Sequence, residues 1–395
     1  MAFWGFPRPD GTVGIRNHVL ILPGALVSTK ICAFVNGVST LISADVGTGR
    51  TRRDRETIAR TLVGLGKNPN VAGVILHDIR PGSTHPELKA EALAAQISES
   101  KKPVEVISGK GETDAFRVLE RGIRVAREMV RQASQVRRER VEDRYLSIAI
   151  KCGRSDTTSG IAGNPVMGHL ADAVVQAGGT VLFGETTEII GAEHLLARRA
   201  ASAEVGREII RAARAVEERS RRYGEDLRKI NPAPANIAGG ITTLEEKALG
   251  AVAKSGTAKI QAVLGYGERP PGQGLFFVDD WWPQQSIFLG YAAAGAVLSI
   301  FQLGGGGYLE DTFLSPSPTG VNPLLWATSN PDAFQAAGES IDFYSGTVLD
   351  GRETIAQAGD RLVERVRDIS SGTLTKTETI KYQDPVQVYL QDPPF

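Results

Sequence analysis

Residues 146–199 constrain this chain more than any other stretch. Two short apolar runs, 146–150 and 180–183, each end in a burst of small and polar residues. The first burst holds Cys152, Gly153, Arg154, Ser155, Asp156, Thr157, Thr158, Ser159 and Gly160; the second holds Gly184, Glu185, Thr186, Thr187 and Glu188. A helical pattern over 165–176 lies between them. Apolar runs of this length, bounded by turn-forming residues, read as buried strands, and the whole reads as a βαβ unit. Open parallel sheets bind ligands outside the carboxyl ends of their strands. The pattern therefore puts a thiol, several carboxylates and several hydroxyls where a site is expected. The competing reading makes them loop residues with capping duties.

The rest of the chain extends the same alternation. Strand signals fall at 18–22, 71–76, 104–107, 261–264, 275–278 and 324–327; helix signals fall at 28–41, 54–65, 86–99, 112–140 and 244–255. Thr243 is the expected N-cap of the last of these, with Glu246 at its third position. The run 284–303 reads as one buried apolar helix ending in the glycines 304–307. The charged run 136–144 reads as a solvated helix end leading into a linker, and the tail 382–395 as an edge strand or a subunit contact. At 395 residues the chain exceeds one ordinary core. The expected fold is α/β in two domains, 1–142 and 143–395, each with a largely parallel sheet flanked by helices.

Composition narrows the function classes. Forty-five basic residues balance forty-five acidic ones, which argues against a nucleic-acid partner. No apolar run reaches the length of a membrane span, and the first residues lack the pattern of a secretory leader. Two cysteines far apart, Cys32 and Cys152, make neither a disulfide framework nor a cysteine-rich zinc site. A reducing cytoplasm is the expected location.

Several residues invite chemistry. Cys152, at a strand end before a helix, is either a nucleophile or soft metal ligand with a lowered pKa or a buried apolar residue. Cys32 reads as core. Glu193 and His194 follow Glu185 and Glu188 closely, a grouping suited to metal binding or proton transfer, although a single histidine at a helix start also serves structure. Glu245 and Glu246 at a helix start complement its dipole, and Lys247 beside them is either functional or a surface side chain. The glycines 304–307 allow a close backbone approach or anion contact, but they lack the Lys-Ser/Thr of a P-loop.

Together four segments resemble the altronate/galactarate dehydratase family: FPRPDGTVGIRN, CGRSDTTSGIAGNPVMG, GGTVLFGETTEIIGAEHLLARRA and NPAPANIAGGITTLEEKALGAVAKSG. They stand in the order of that family's large catalytic region. The resemblance implies a lyase that dehydrates a 2-hydroxy acid or sugar acid to a 2-keto acid. Because a relative expels sulfite from sulfolactate, it also admits a carbon–sulfur lyase. A third reading is a non-catalytic binding subunit. A divalent metal such as iron, a separate small subunit and a homo-oligomer are implied as well. Carried over by motif, the catalytic candidates are His194, Lys247 and Glu185. The substrate-binding candidates are Arg16, Asn17, Arg154, Ser155, Asp156, Ser159 and Thr243. The metal candidates are Cys152, Glu188 and Glu246. Arg154 and the segment 155–159 are expected to hold the substrate carboxylate. The sequence departs from the family's pattern in four places. Ala44, Gly47, Thr48 and Gly49 replace a His-x-x-Gly-Cys-Gly element, and Ile79-Arg80-Pro81 replaces Gly-Cys-Glu. Ala251 stands for a cysteine, and the 304–307 run lacks an arginine.

Overall fold

The computed structural model describes residues 2–24, 26–41, 47–78, 85–108, 114–281, 283–305, 319–380 and 386–395. Ala44, the 79–81 replacement and Gly306–Gly307 lie outside these residues. Along the chain the strands are β1 (Ala2–Pro7), β2 (Val13–Gly14), β3 (His18–Leu22), β4 (Val38–Thr40), β5 (Val71–Asp78), β6 (Val104–Ser108), β7 (Glu139–Glu142), β8 (Ser147–Gly153), β9 (Thr180–Phe183), β10 (Ile260–Leu264), β11 (Gly274–Val278), β12 (Leu298–Leu303), β13 (Leu324–Thr328) and β14 (Phe343–Tyr344).

Two of the sheets are wholly parallel, as the α/β reading requires. One has the order β4-β3-β5-β6. The larger has the order β10-β11-β9-β8-β12-β13-β14. Both faces of each are covered, which explains the unbroken apolar runs in their strands. In β3, Val19 and Ile21 enter one core while Leu20 and Leu22 enter another. In β8, Ile148 and Ile150 face the helices Asn164–Gln176, Ala203–Arg222 and Ile355–Ser370, and Ala149 faces an aromatic layer of Phe288, Tyr291, Phe301 and Trp326.

The two sheets share apolar surface. Tyr266, Leu289, Ala292, Ala293 and Val321 pack into the same core as Leu62, Leu65 and Leu93. The helix Arg52–Lys67 meets the helix Gln284–Ala293 so closely that a Cβ on Gly64 would stand 2.3 Å from the Ala293 carbonyl oxygen.

Four expectations need correction. The run 284–303 is not one helix: it is a helix to Ala293 followed by strand β12. Periodicity cannot separate a buried helix from a buried strand when every face is apolar, and Gly295, at φ +103°, turns the chain between them. The glycines at 304 therefore follow a strand. The helix expected over 28–41 ends at Phe34, and its last residues form β4. The charged run at 136–144 contains β7, which pairs antiparallel with β1. The described tail residues 386–395 form no strand; instead Val386, Val388 and Tyr389 are buried in the core beneath the four-stranded sheet.

The larger sheet has a switch in strand order at β8. From β8 the chain runs to β9 on one side, and from β12 on the other side it runs to β13. The chain therefore leads from β8 and from β12 to opposite sides of the sheet, and the carboxyl ends of these two strands mark the position where such sheets bind ligands.

Candidate active site

The residues after β8 fold around one carboxylate. Asp156 Oδ1 accepts hydrogen bonds from the Ser159 amide and hydroxyl, both at 2.9 Å, and from the Thr158 hydroxyl at 2.8 Å. Its Oδ2 accepts from the Gly305 amide at 2.9 Å and from Asn330 Nδ2 at 2.7 Å. Asp156 thus ties the loop after β8 to the loop after β12 across the switch point. Arg154 follows β8 directly and Glu185 follows β9 after Gly184, at φ +50° and +71°. Non-glycine residues seldom adopt this left-handed conformation, and where they do they cluster at functional sites.

Beneath this loop lies a buried polar cluster. Cys152 is the second-to-last residue of β8, and Glu185 and Glu188 come from the turn after β9. Their ligand atoms lie within 4.8 Å of one another, the one grouping of three such side chains this close among the described residues. Two lysines that the motif readings passed over complete it. Lys151 Nζ donates to Glu185 Oε1 at 2.5 Å. Lys254 Nζ lies 3.0 Å from Cys152 Sγ, 3.2 Å from Glu185 Oε2 and 3.6 Å from Glu188 Oε2. The Cys152 thiol donates to Glu188 Oε2 at 3.1 Å. Lys151 has a visible signal in the sequence, a cation inside a buried apolar strand, where such residues rarely sit unpaired.

The electrostatics follow from burial and neighbours. Burial, with the Glu188 charge beside it, pushes the Cys152 thiol up to about 12, so it is a neutral donor rather than the activated thiolate expected from its strand-end position. Burial and the charge of Glu188 raise Glu185. Burial works against the charge of Glu188 too, but Lys247, Lys254 and Lys151 outweigh it and hold that carboxyl well below the usual range. Lys254 behaves likewise: burial opposes its charge, and Cys152, Glu185 and Glu188 overcome the penalty and raise it. Next to them, Asp280 Oδ1 accepts from the Glu185 amide at 2.7 Å, while its Oδ2 and the Tyr291 hydroxyl find no partner. Burial drives both of these groups well above their ordinary values.

Lys247 joins the cluster to the outside. Thr243 caps its helix, Leu244–Val252, accepting from the Glu246 amide as the capping pattern predicts. From there Lys247 Nζ reaches Asn231 Oδ1 at 3.0 Å, Asn236 Oδ1 at 3.3 Å and Glu188 Oε1 at 3.4 Å. The same lysine lines a cleft of ≈ 310 Å³, together with Ser155, Asp156, Ser159, Asn164 and Glu246. Ser155 Oγ and Asn164 Oδ1, on residues of this wall, have no hydrogen-bond partner. Buried polar atoms are rarely left so.

The structure brings together Cys152, Glu185, Glu188 and Lys247, and sets Ser155, Asp156 and Ser159 beside them. It places other candidates elsewhere. Arg16 lies at a seam of the chain: Nε and Nη2 bind Glu378, both at 2.8 Å, and the other N–H groups go to the carbonyls of Ile15, Ile369 and Thr373. All five of its donors are used, so none is left for a substrate. Asn17 accepts from Arg8 and donates to the Ala133 carbonyl. His194 is exposed on the helix Glu193–Arg198 and has no hydrogen-bond partner among the described residues. Glu246 is exposed, and its carboxylate accepts from the amide and hydroxyl of Thr242. It therefore completes a helix cap and stands outside the Cys152–Glu185–Glu188 grouping. Thr243 is exposed and spent on the same cap. Arg154 is half-buried at the head of its loop. Cys32 is half-buried as well.

Comparison with known proteins gives a consistent result over nearly the whole chain. Residues 5–134 match the family described as D-galactarate dehydratase/Altronate hydrolase, second domain, and residues 144–391 match D-galactarate/Altronate dehydratase, C-terminal. The chain is 34% identical to (2R)-sulfolactate sulfo-lyase subunit beta of Chromohalobacter salexigens, over 99% of this chain and 98% of the relative. It is 27% identical to altronate dehydratase of Bacillus subtilis, over 97% of this chain and 76% of the relative. It is 30% identical to galactarate dehydratase (L-threo-forming) of Escherichia coli, over 79% of this chain and 59% of the relative.

Proposed function

Because the chain belongs to the D-galactarate/altronate dehydratase family, we propose that it is a lyase that eliminates a group from C3 of a 2-hydroxy acid to give a 2-keto acid. Two of the relatives above are dehydratases by name, and water is the leaving group of the main reading. One observation carries the assignment to this site. Lys247 lines the cleft and, at 3.4 Å, pairs with Glu188 of the buried cluster.

The elimination needs a base for the proton on C2 and positive charge for the enediolate that its removal creates. Lys247 is the base for the C2 proton, which it then returns to the departing C3 hydroxyl so that water leaves, and Glu188 pairs with it throughout. Ser155 and Asn164, polar residues of the cleft wall, are the groups nearest to hand for the substrate's carboxylate and hydroxyls. Asp156 and Ser159 act by holding the loop. Glu185 acts from behind, fixed between Lys151 and Lys254. A family metal would have to use Cys152, Glu185 and Glu188, a donor set of suitable chemistry. Each of those three groups is already engaged by Lys254, so the residues present do not fit a resident ion, and no step is routed through one.

A second reading is favoured by the end-to-end match to a sulfo-lyase beta subunit. In it the group expelled is sulfite, a stable anion that needs less acid assistance than hydroxide. That match also motivates a separately encoded small subunit as partner, in a complex built from several copies of each chain. Among the described residues no helix is long and apolar enough to cross a membrane, and two unpaired cysteines suit a reducing cytoplasm. The test is a panel of sugar acids and sulfolactate, with the small subunit added, read by 2-keto acid and by sulfite. Keto acid without sulfite supports dehydration, and equal amounts of both support the second reading. Binding without either product would leave a binding subunit and overturn both.

A further inference from the structure

We infer that the ammonium of Lys254 holds, among Cys152, Glu185 and Glu188, the place that a divalent metal ion would take, so that this cluster is built to work without one. The inference deepens the reading of the site as an eliminating lyase, but it concerns the cluster alone.

Three observations carry it. First, Lys254 Nζ touches the whole donor set: it lies 3.0 Å from the Cys152 sulfur, 3.2 Å from a Glu185 oxygen and 3.6 Å from a Glu188 oxygen. A metal would sit within the same three atoms, at the shorter range of about 2.0–2.3 Å. Ion and ammonium cannot share that volume. Second, the carboxylates have no free charge to offer. Glu185 is paired with Lys151 and Lys254, and Glu188 with Lys247 and Lys254. Lys151 and Lys254 already offset the two carboxylates, so a dication added to them finds no unbalanced negative charge. Third, Lys254 is held in place. It is 2% exposed and lies in the turn Ala253–Ser255, which packs against the helix Asn164–Gln176. A Cβ on Gly168 of that helix would stand 2.3 Å from the Ala253 carbonyl oxygen, so backbone meets backbone at this point.

Functionally, a fixed ammonium supplies part of what a divalent ion supplies, a positive charge behind the reacting centre. It does so without an open coordination position, and it keeps the thiol as a hydrogen-bonding neighbour rather than a ligand.

The experiment uses cobalt(II) as the probe, because a cobalt–thiolate bond gives a charge-transfer band in the near ultraviolet. Wild-type protein, Lys254→Ala and Lys254→Ala/Cys152→Ser are stripped with chelator, checked for folding by circular dichroism, and titrated with cobalt(II). The expected result is no band in wild type, a stoichiometric band in Lys254→Ala, and its loss in the double variant. A band in wild type that Cys152→Ser removes overturns the inference. So does the absence of a band in a folded Lys254→Ala, because the ammonium would then not be what excludes the ion. Should Lys254→Ala fail to fold, the metal content of wild type as purified decides. Stoichiometric iron, manganese or zinc that Cys152→Ser loses counts against the inference, and protein free of such metal supports it. None of these readings depends on turnover, so a failed elimination assay and a failed metal test remain distinguishable.

Discussion

Arg16–Glu378 and Lys254–Glu185–Glu188 are both buried ion networks, and their difference separates structure from function in this molecule. Around Arg16 the accounts close: five donors meet two carboxylate oxygens and three backbone carbonyls. The pair ties the start of the chain to residues beyond the helix Ile355–Ser370. Around Lys254 they do not close. Asp280 Oδ2 and Tyr291 OH lack partners, as do Ser155 Oγ and Asn164 Oδ1 on residues that line the cleft. A buried network finished by backbone fixes a fold. One left with unpartnered buried polar atoms is arranged for something that comes and goes.

The largest expected effect lies on the unfinished side. Lys247→Ala should reduce 2-keto acid formation by about 10²–10⁴-fold, the usual contribution of a positioned base. Lys247→Arg keeps the charge but cannot accept the proton, so it should lose kcat to a similar extent with KM little changed. Near-normal turnover in Lys247→Arg would mean that the residue supplies charge alone.

On the finished side, Arg16→Met should cost stability and spare chemistry. It strands Glu378 without its partner, at a cost of about 3–5 kcal/mol, measured by denaturant unfolding, with turnover per folded molecule unchanged. A loss of kcat at full folding would return Arg16 to the site.

The same pair gives a pH signature. Burial pushes Glu378 up, but the hydrogen bonds and charge of Arg16 outweigh it and bring its carboxyl below the ordinary 4.5. A depressed folded value stabilises the fold above the unfolded value, and the effect drains away as pH falls through the folded one. The stability gap between wild type and Arg16→Met should therefore be constant at neutral pH and narrow below pH 4.5. A gap that stays constant at lower pH would show that Arg16 acts through its three carbonyl contacts instead.

Asp156→Ala probes the boundary between the two kinds of network, because Asp156 is saturated yet lines the cleft. About 1–3 kcal/mol should be lost from the groups left unpaired, together with faster amide exchange in residues 154–160. Unchanged exchange would mean that the loop is held by Asn236 and Gly239 alone. The smallest effects belong to His194→Ala and Glu246→Gln. Both should leave turnover per folded molecule as in wild type, since one side chain is exposed and the other completes a cap.

By itself the sequence determined the alternation of strand and helix, the parallel sheets, and the two strand ends that carry Cys152, Glu185 and Glu188. Local rules suffice for these, because a short apolar run closed by polar residues has few ways to be buried. The N-cap at Thr243 was legible for the same reason. Tertiary structure decided which polar residues meet. It sent Arg16 and Asn17 to a seam and left His194 in solvent. It brought Lys254 from a distant turn into the middle of the cluster, where no spacing along the chain announces it. It also cut the apolar run after residue 283 into a helix and a strand, because only the position of β8 supplies the edge on which β12 can pair. Burial then reversed the expectation for Cys152: the strand end that would have activated a thiol in contact with solvent holds it protonated, since desolvation depends on what the remainder of the chain packs around it.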